Sequence, residues 1–277
     1  MADDLVVIIG AGGIGLAIAR RQGFGRRVIL AGRTEARLNA AADDMRSASY
    51  RVETQLVDVS SPQSVCSLAD ACAARGNVTQ VVLAAGVSPN MASIEKILEV
   101  DLYGTALVLE EFGRVVAANG AGLVVSSAAG HMLPALTPEQ DRALASTPAE
   151  DLLNLPFLRE DALIDTTTAY MMAKRANFLR VQAEAMHWGD RGARLNAISP
   201  GLIATSMGQV ELESKAGDSY RATVAASPAR RLAPPEEIAV AAAYLLGPDA
   251  GFVTGSDLLI DGGGVAAIRA GRVSVPR

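Results

Sequence analysis

Tyr170 stands four residues before Lys174 in the stretch TTTAYMMAKRAN, 166–177. Four residues is about one helical turn, so the two side chains share a face if the segment is helical. An ammonium beside a phenol favours the phenolate and draws down a pKa that starts near ~10. A tyrosine tuned in this way can give and take a proton near neutral pH. The same spacing occurs on ordinary amphipathic helices, so the pair carries weight only with what surrounds it.

A second chemical signal lies near the N-terminus. IIGAGGIGLAIA sets Gly10, Gly12 and Gly15 in the pattern G-x-G-x-x-G, between an apolar run and a helical one. One glycine makes a tight turn, one lets the backbone approach a pyrophosphate, and one lets helix and strand pack closely. The N–H groups and dipole of the helix then attract phosphate charge. The expectation is a bound dinucleotide. Its type turns on LAGRTEARL, where Gly32 and Arg33 stand in place of the Asp or Glu that bonds a ribose 2′-hydroxyl. A guanidinium can fork onto a 2′-phosphate. NADP(H) is therefore favoured over NAD(H). In the opposing reading Arg33 is a solvated charge, and Asp58 supplies a polar contact to adenine.

The elements that must position these residues alternate along the chain. Strands are expected at 5–10, 27–32, 50–59, 80–86, 122–130, 193–201 and 257–264. Helices are expected at 13–22, 34–47, 61–76 and roughly 94–118, around Tyr170, and at 234–247. Thr34 and Ser61 are candidate N-caps, and Pro62 suits a first helical position. Such alternation predicts a doubly wound α/β Rossmann fold, a seven-stranded parallel sheet with helices on both faces. Ligands of such sheets bind beyond the carboxyl ends of the strands. The 277 residues form one expected domain, 1–277. Residues 131–165 break the alternation as an insertion, with short helices at 138–146 and 148–155 capped by Thr137 and Thr147.

Composition excludes several classes. The net charge of −5, the 4% aromatic content and the lack of a basic stripe argue against nucleic acid. No run approaches ~18 apolar residues, so no membrane partner is expected. Cys66 and Cys72 are six apart, which is neither metal spacing nor a disulfide framework. With only two histidines, a catalytic zinc is not expected either. The default location is a reducing cytoplasm.

The ordered set of glycine turn, VDV, AAG, SSAAG, YMMAK and SPG resembles the short-chain dehydrogenase/reductase family over roughly 5–264. The long segment before the Tyr170 helix resembles the bacterial 3α-hydroxysteroid dehydrogenase/carbonyl reductase subgroup, whose substrates are bulky ketones or hydrophobic alcohols. The resemblance implies that Tyr170 exchanges the proton, that Lys174 lowers its pKa and holds the nicotinamide ribose, and that Ser127 bonds the substrate carbonyl. Ser127 matches because it stands three before Gly130; Ser126 competes for the role. It also implies cofactor contacts at Ile14, Asp58, Val59, Ala84, Ala85, Gly86, Pro200, Gly201, Ile203 and Thr205. A substrate flap at 204–231 and a homo-oligomer, dimer or tetramer, follow on the same ground. Chemistry agrees with these roles: hydride transfer to a ketone builds an oxyanion that two hydroxyl donors can stabilise.

Three departures from the family stand out. The glycine turn is one residue shorter. LAAG replaces Asn-Asn-Ala-Gly, while Gly86 keeps a backbone approach to the cofactor open. Asp101 occupies the place of an asparagine that supports a water relay to the lysine; its charge would favour protonated Lys174, and in the opposing reading it only bonds neighbouring backbone groups. The alternative reading of these departures is an NAD(P)-binding regulatory protein with little or no turnover. Met207, Val210 and Leu212 are candidates for an apolar pocket, and His131 for a substrate contact. His187 is expected to partner a helix dipole, and Arg269, Arg272 and Arg277 to form a solvated tail.

Overall fold

The computed structural model of the chain describes residues 3–159 and 162–275. Glu160 and Asp161 of the insertion and Arg277 of the expected tail lie outside the described residues. The strands are β1 (Asp4–Ile9), β2 (Arg27–Gly32), β3 (Arg51–Leu56), β4 (Asn77–Leu83), β5 (Val116–Val125), β6 (Arg194–Pro200) and β7 (Asp257–Ile260). They form one sheet in the order β3-β2-β1-β4-β5-β6-β7, every pair parallel. This is the doubly wound Rossmann architecture. Winding reverses between β1 and β4, so the segments that leave these two strands part and open a crevice at their carboxyl ends.

On one face lie α1 (Gly13–Gly23), α2 (Glu35–Ser47) and α11 (Pro235–Leu246). On the other lie α3 (Pro62–Arg75), α5 (Gly104–Val115) and α8 (Thr166–Asp190). Small residues set the packing distance. Trp188, fully buried, donates from its indole N–H to the Leu109 carbonyl at 3.1 Å. Its ring covers Gly122 so closely that an added Cβ would lie 2.5 Å from it.

Several boundaries differ from expectation for local reasons. The helix expected over 94–118 is three pieces: α4 (Ile94–Ile97), a π-helical turn (Leu98–Tyr103) and α5, which ends at Val115. The β-branched pair Val115–Val116 turns into β5, six residues earlier than the apolar run alone indicates. β5 then stops at Val125, so Ser126 and Ser127 lie past its end, before a 3-10 turn at Ala128–His131. β3, β4 and β7 end by Leu56, Leu83 and Ile260, which leaves Asp58, Val59, Ala84, Ala85 and Gly86 in loops.

Ser61 caps α3 by accepting from the Ser64 N–H at 3.3 Å, but Thr34 makes no cap bond to α2. In the insertion, Thr137 and Gln140 form a reciprocal capping box on α6 (Pro138–Ser146). Thr147 is not a cap. It ends α6, and its carbonyl accepts from Arg180 at 2.7 Å, so only α7 (Ala149–Leu152) follows, with Pro148 before it. The insertion is fastened to α8 by a forked pair between Arg175 and Asp141, at 2.9 and 2.7 Å.

Candidate active site

Asp165 caps α8, its side chain accepting from the Thr168 N–H at 2.7 Å, and the helix runs for 25 residues. Its first turns carry Tyr170 and Lys174 on one side. The Lys174 ammonium lies 5.3 Å from the centre of the Tyr170 ring. Ser127 follows β5; its hydroxyl stands beside the Tyr170 phenol, which it pulls down, and accepts from the Ala129 N–H at 3.2 Å. Ser126 points elsewhere: it is buried and donates to the Lys174 carbonyl at 2.8 Å. Of the two candidate serines, Ser127 is the one beside the phenol.

These groups open onto a cavity of about 610 Å³ at the carboxyl ends of the strands. Every residue expected to touch the cofactor lines it, from Gly10 to Thr205, together with Ser127, Tyr170 and Lys174. At one end the backbone of Gly10 has φ +105°, and a Cβ there would stand 2.3 Å from the Ala85 nitrogen. Glycine is required because β1 and β4 exit side by side. Gly12 is the opposite case, with nothing within 4 Å of an added Cβ. The α1 N-terminus has no side-chain cap and no acidic residue in its first turn. Open backbone beside free helical N–H groups fits a pyrophosphate. Arg33 is exposed at the rim with no hydrogen bond or ion pair among the described residues, and Arg37 lines the cavity one turn further on. Arg37 was missed from sequence, although its spacing of four from Arg33 was the available signal. Asp58 is committed locally: its Oδ1 accepts from the Ser60 N–H and hydroxyl, bonds that hold its carboxyl below the usual range.

Asp101 is absent from the cavity wall. It is 1% exposed, and sits in the π-helical turn behind Gly86. Its Oδ1 pairs with Lys174 at 3.0 Å, and the Val87 N–H approaches both oxygens at 3.3 Å. A Cβ on Gly86 would lie 2.5 Å from Asp101 Oδ1. The glycine therefore makes room for this ion pair, a use the sequence reading did not foresee.

The electrostatics correct one expectation. Burial pushes the Tyr170 phenol above its ordinary value; Lys174 and the Ser127 hydroxyl pull it down, and Asp101 pushes it up again. Lys174 acts in the expected direction, but the Asp101 carboxylate offsets its charge. Burial likewise raises Asp101 against the pull of Lys174. For Lys174, burial lowers the pKa, but Asp101 and Tyr170 raise it more, so the amine holds its proton above the usual lysine range.

The flap forms α9 (Ser206–Glu213) and α10 (Gly217–Ala226), with Thr205 capping α9 by accepting from the Gly208 N–H at 3.1 Å. Met207 and Val210 line the cavity, whereas Leu212 does not. His131 is not on the wall. It bonds Asp257 at 2.7 Å and stacks on Phe178. His187 bonds Glu184 at 3.1 Å. Among the described residues of the insertion, Met132 alone lines the cavity; Asp141 and Thr147 bond α8. No metal-ligating cluster occurs among the described residues, and no described helix is long and apolar enough to cross a membrane.

A doubly wound sheet, a glycine turn at its switch point and a tyrosine–lysine–serine group in the same cleft define a dinucleotide-dependent oxidoreductase class. The family profile for short chain dehydrogenase matches residues 4–138, and that for Enoyl-(Acyl carrier protein) reductase matches residues 138–264. The chain is 41% identical to the short-chain dehydrogenase/reductase bsc3 of Alternaria brassicicola, over 96% of this chain and 97% of that one. It is 30% identical to the 3-alpha-hydroxysteroid dehydrogenase/carbonyl reductase of Comamonas testosteroni, over 68% of this chain and 73% of the other. The actinorhodin polyketide ketoreductase, solved with NADPH, shares the fold at 23% identity, with a TM-score of 0.74 over 95% of this chain and 98% of that one. The chain belongs to the short-chain dehydrogenase/reductase family of oxidoreductases, which bind NAD(P).

Proposed function

We propose that this protein is an NADP(H)-dependent oxidoreductase that interconverts a secondary alcohol and a ketone, with Tyr170 as proton donor and acceptor. The observation that carries the reading is the meeting of the Tyr170 phenol, the Ser127 hydroxyl and the Lys174 ammonium on one cavity wall. When bound, the dinucleotide supplies or accepts the hydride. The chain's own groups do the rest. Ser127 and Tyr170 donate to the oxygen on which charge builds, and Tyr170 passes it a proton. Lys174 stabilises the phenolate, and Asp101 keeps Lys174 charged. Gly10, Gly12, Ile14 and Gly15 would hold the pyrophosphate, and Arg33 with Arg37 a 2′-phosphate. Asp58, Val59, Ala84, Ala85 and Gly86 would flank the adenosine and nicotinamide halves. Pro200, Gly201, Ile203 and Thr205 would close over the far end.

The apolar walls suit a bulky hydrophobic carbonyl, a steroid or a 3-oxoacyl compound. A reductase that acts on carbonyls among the relatives supports the same class. The reading extends to a homo-oligomer, dimer or tetramer, in a reducing cytoplasm where Cys66 and Cys72 stay free. The test is oxidation of NADPH against a panel of ketones. Turnover by the wild type that Tyr170→Phe abolishes supports the proposal. Cofactor binding without turnover across the panel, or full activity in Tyr170→Phe, refutes it.

A further inference from the structure

We infer that the cavity reads a hydroxyl group on the substrate, away from the carbon that reacts, with Glu211 as the acceptor. This rests on the reading above that a carbonyl sits at Tyr170. Glu211 lies on α9 of the flap, lines the cavity and is only 7% exposed. Its Oε2 accepts from the Asn90 side chain at 2.9 Å, which ties the flap to the loop after β4. Its Oε1 has no hydrogen-bond partner. Tyr220 of α10 stands beside it: burial, and then the nearby carboxylate, raise that phenol, yet no bond of normal geometry reaches Oε1. Two residues before Asn90, Ser88 lines the same cavity; it is 2% exposed, and its buried hydroxyl is also without a partner.

A buried acceptor left unsatisfied costs about 1–3 kcal/mol, and a ligand that brings a donor recovers it. Two such groups, on walls joined by the Asn90–Glu211 bond, are a mismatch with a purely hydrocarbon substrate. The surrounding wall includes Met132, Met171, Met207, Val210 and Val224. An ammonium brought into that lining loses far more hydration than a hydroxyl does. The substrate class is therefore an apolar ketone or alcohol that carries a further hydroxyl group. Glu211 is also close enough to the reacting end to add to the upward push that burial exerts on Tyr170.

The experiment measures binding by calorimetry to the NADPH-saturated protein. The probes are decalones with a hydroxyl on the distal ring, each paired with its unsubstituted parent. For at least one regioisomer the wild type should bind the hydroxyl form about tenfold tighter. Glu211→Leu should lose this preference at unchanged NADPH affinity, and Glu211→Gln, which keeps an acceptor oxygen, should retain part of it. Tyr170→Phe should weaken both members of a pair alike and leave their ratio standing. Turnover that survives in Tyr170→Phe would overturn the proton role of that residue but not the ratio. Equal binding within every pair overturns the inference. So does an equal loss for both members in Glu211→Leu, which is the signature of a tether for Asn90. Tighter binding of the matching amino-decalone than of the hydroxyl form also overturns it.

Discussion

Asp101→Asn tests the electrostatic account of the site most directly. The substitution keeps an oxygen that accepts from Lys174 and Val87, so the π-helical turn and its contacts are retained. It removes one buried charge. Lys174 lies 3.0 Å from Asp101 and 5.3 Å from the Tyr170 ring centre, so the carboxylate is at most roughly 8 Å from that ring. At an effective dielectric constant of ~20, a charge at that range acts on a phenolate with about 2 kcal/mol. That is about thirtyfold in the ratio of phenolate to phenol at fixed pH. The sign follows from the cited shifts. After burial, Asp101 is among the groups that raise Tyr170, and it is the first that raises Lys174. Without it both groups release their protons at lower pH. Alcohol oxidation needs the phenolate, so its rising limb moves to lower pH. Ketone reduction needs the phenol, so its falling limb moves the same way. At a pH on the limb, oxidation therefore quickens while reduction slows. The assay is kcat/KM against pH in both directions for wild type and variant. A limb that stays in place or moves up, or an equal fall in both directions, refutes the reasoning.

Arg33→Ala with Arg37→Ala should weaken NADPH by about tenfold or more, from the loss of charge-assisted bonds, and leave NADH nearly unchanged. Titration by cofactor fluorescence checks it. Ser127→Ala should cut turnover by ~100-fold or more with little change in melting temperature. Ser126→Ala should cost about 1 kcal/mol of stability, from its bond to the Lys174 carbonyl, and keep the activity. Gly122→Ala forces a methyl group against the Trp188 ring and should destabilise the chain by about 1–3 kcal/mol in urea unfolding.

Much of this was legible in the sequence because the fold speaks in local patterns. Apolar runs, glycine turns and cap residues recur with the strand–helix alternation, and a parallel sheet covered on both faces follows from them. Tyr170 and Lys174 share one side of α8, as their spacing of four predicts, but only the surrounding motifs gave that spacing weight. Ser127 was separable from Ser126 only by its distance from Gly130; the hydrogen bond from Ser126 to α8 supplies the physical reason. What was not legible depends on the tertiary fold. The break in the 94–118 helix has no proline or glycine at Leu98–Tyr103 to announce it. The net direction of the Tyr170 shift is a balance of burial, Asp101 and Glu211 against Lys174 and Ser127, and of these groups only Lys174 is near it in sequence. Glu211 belongs to no motif, since its meaning lies in a partner 121 residues away and in an oxygen left unbonded.

The π-helical turn has a further consequence. Its wider hydrogen-bond loop holds one residue more than an α turn would. Excision of a single residue from that loop would rewind it to ordinary pitch, and because the wide turn absorbs the extra residue, the apolar stripe of α5 would keep its face toward the sheet. The same cut would draw the backbone around Asp101 inward and carry the carboxylate off its amine. At this place in the chain, loss of one codon is a change to the chemistry that spares the core, whereas the same loss inside α5 would turn every later side chain by about 100°.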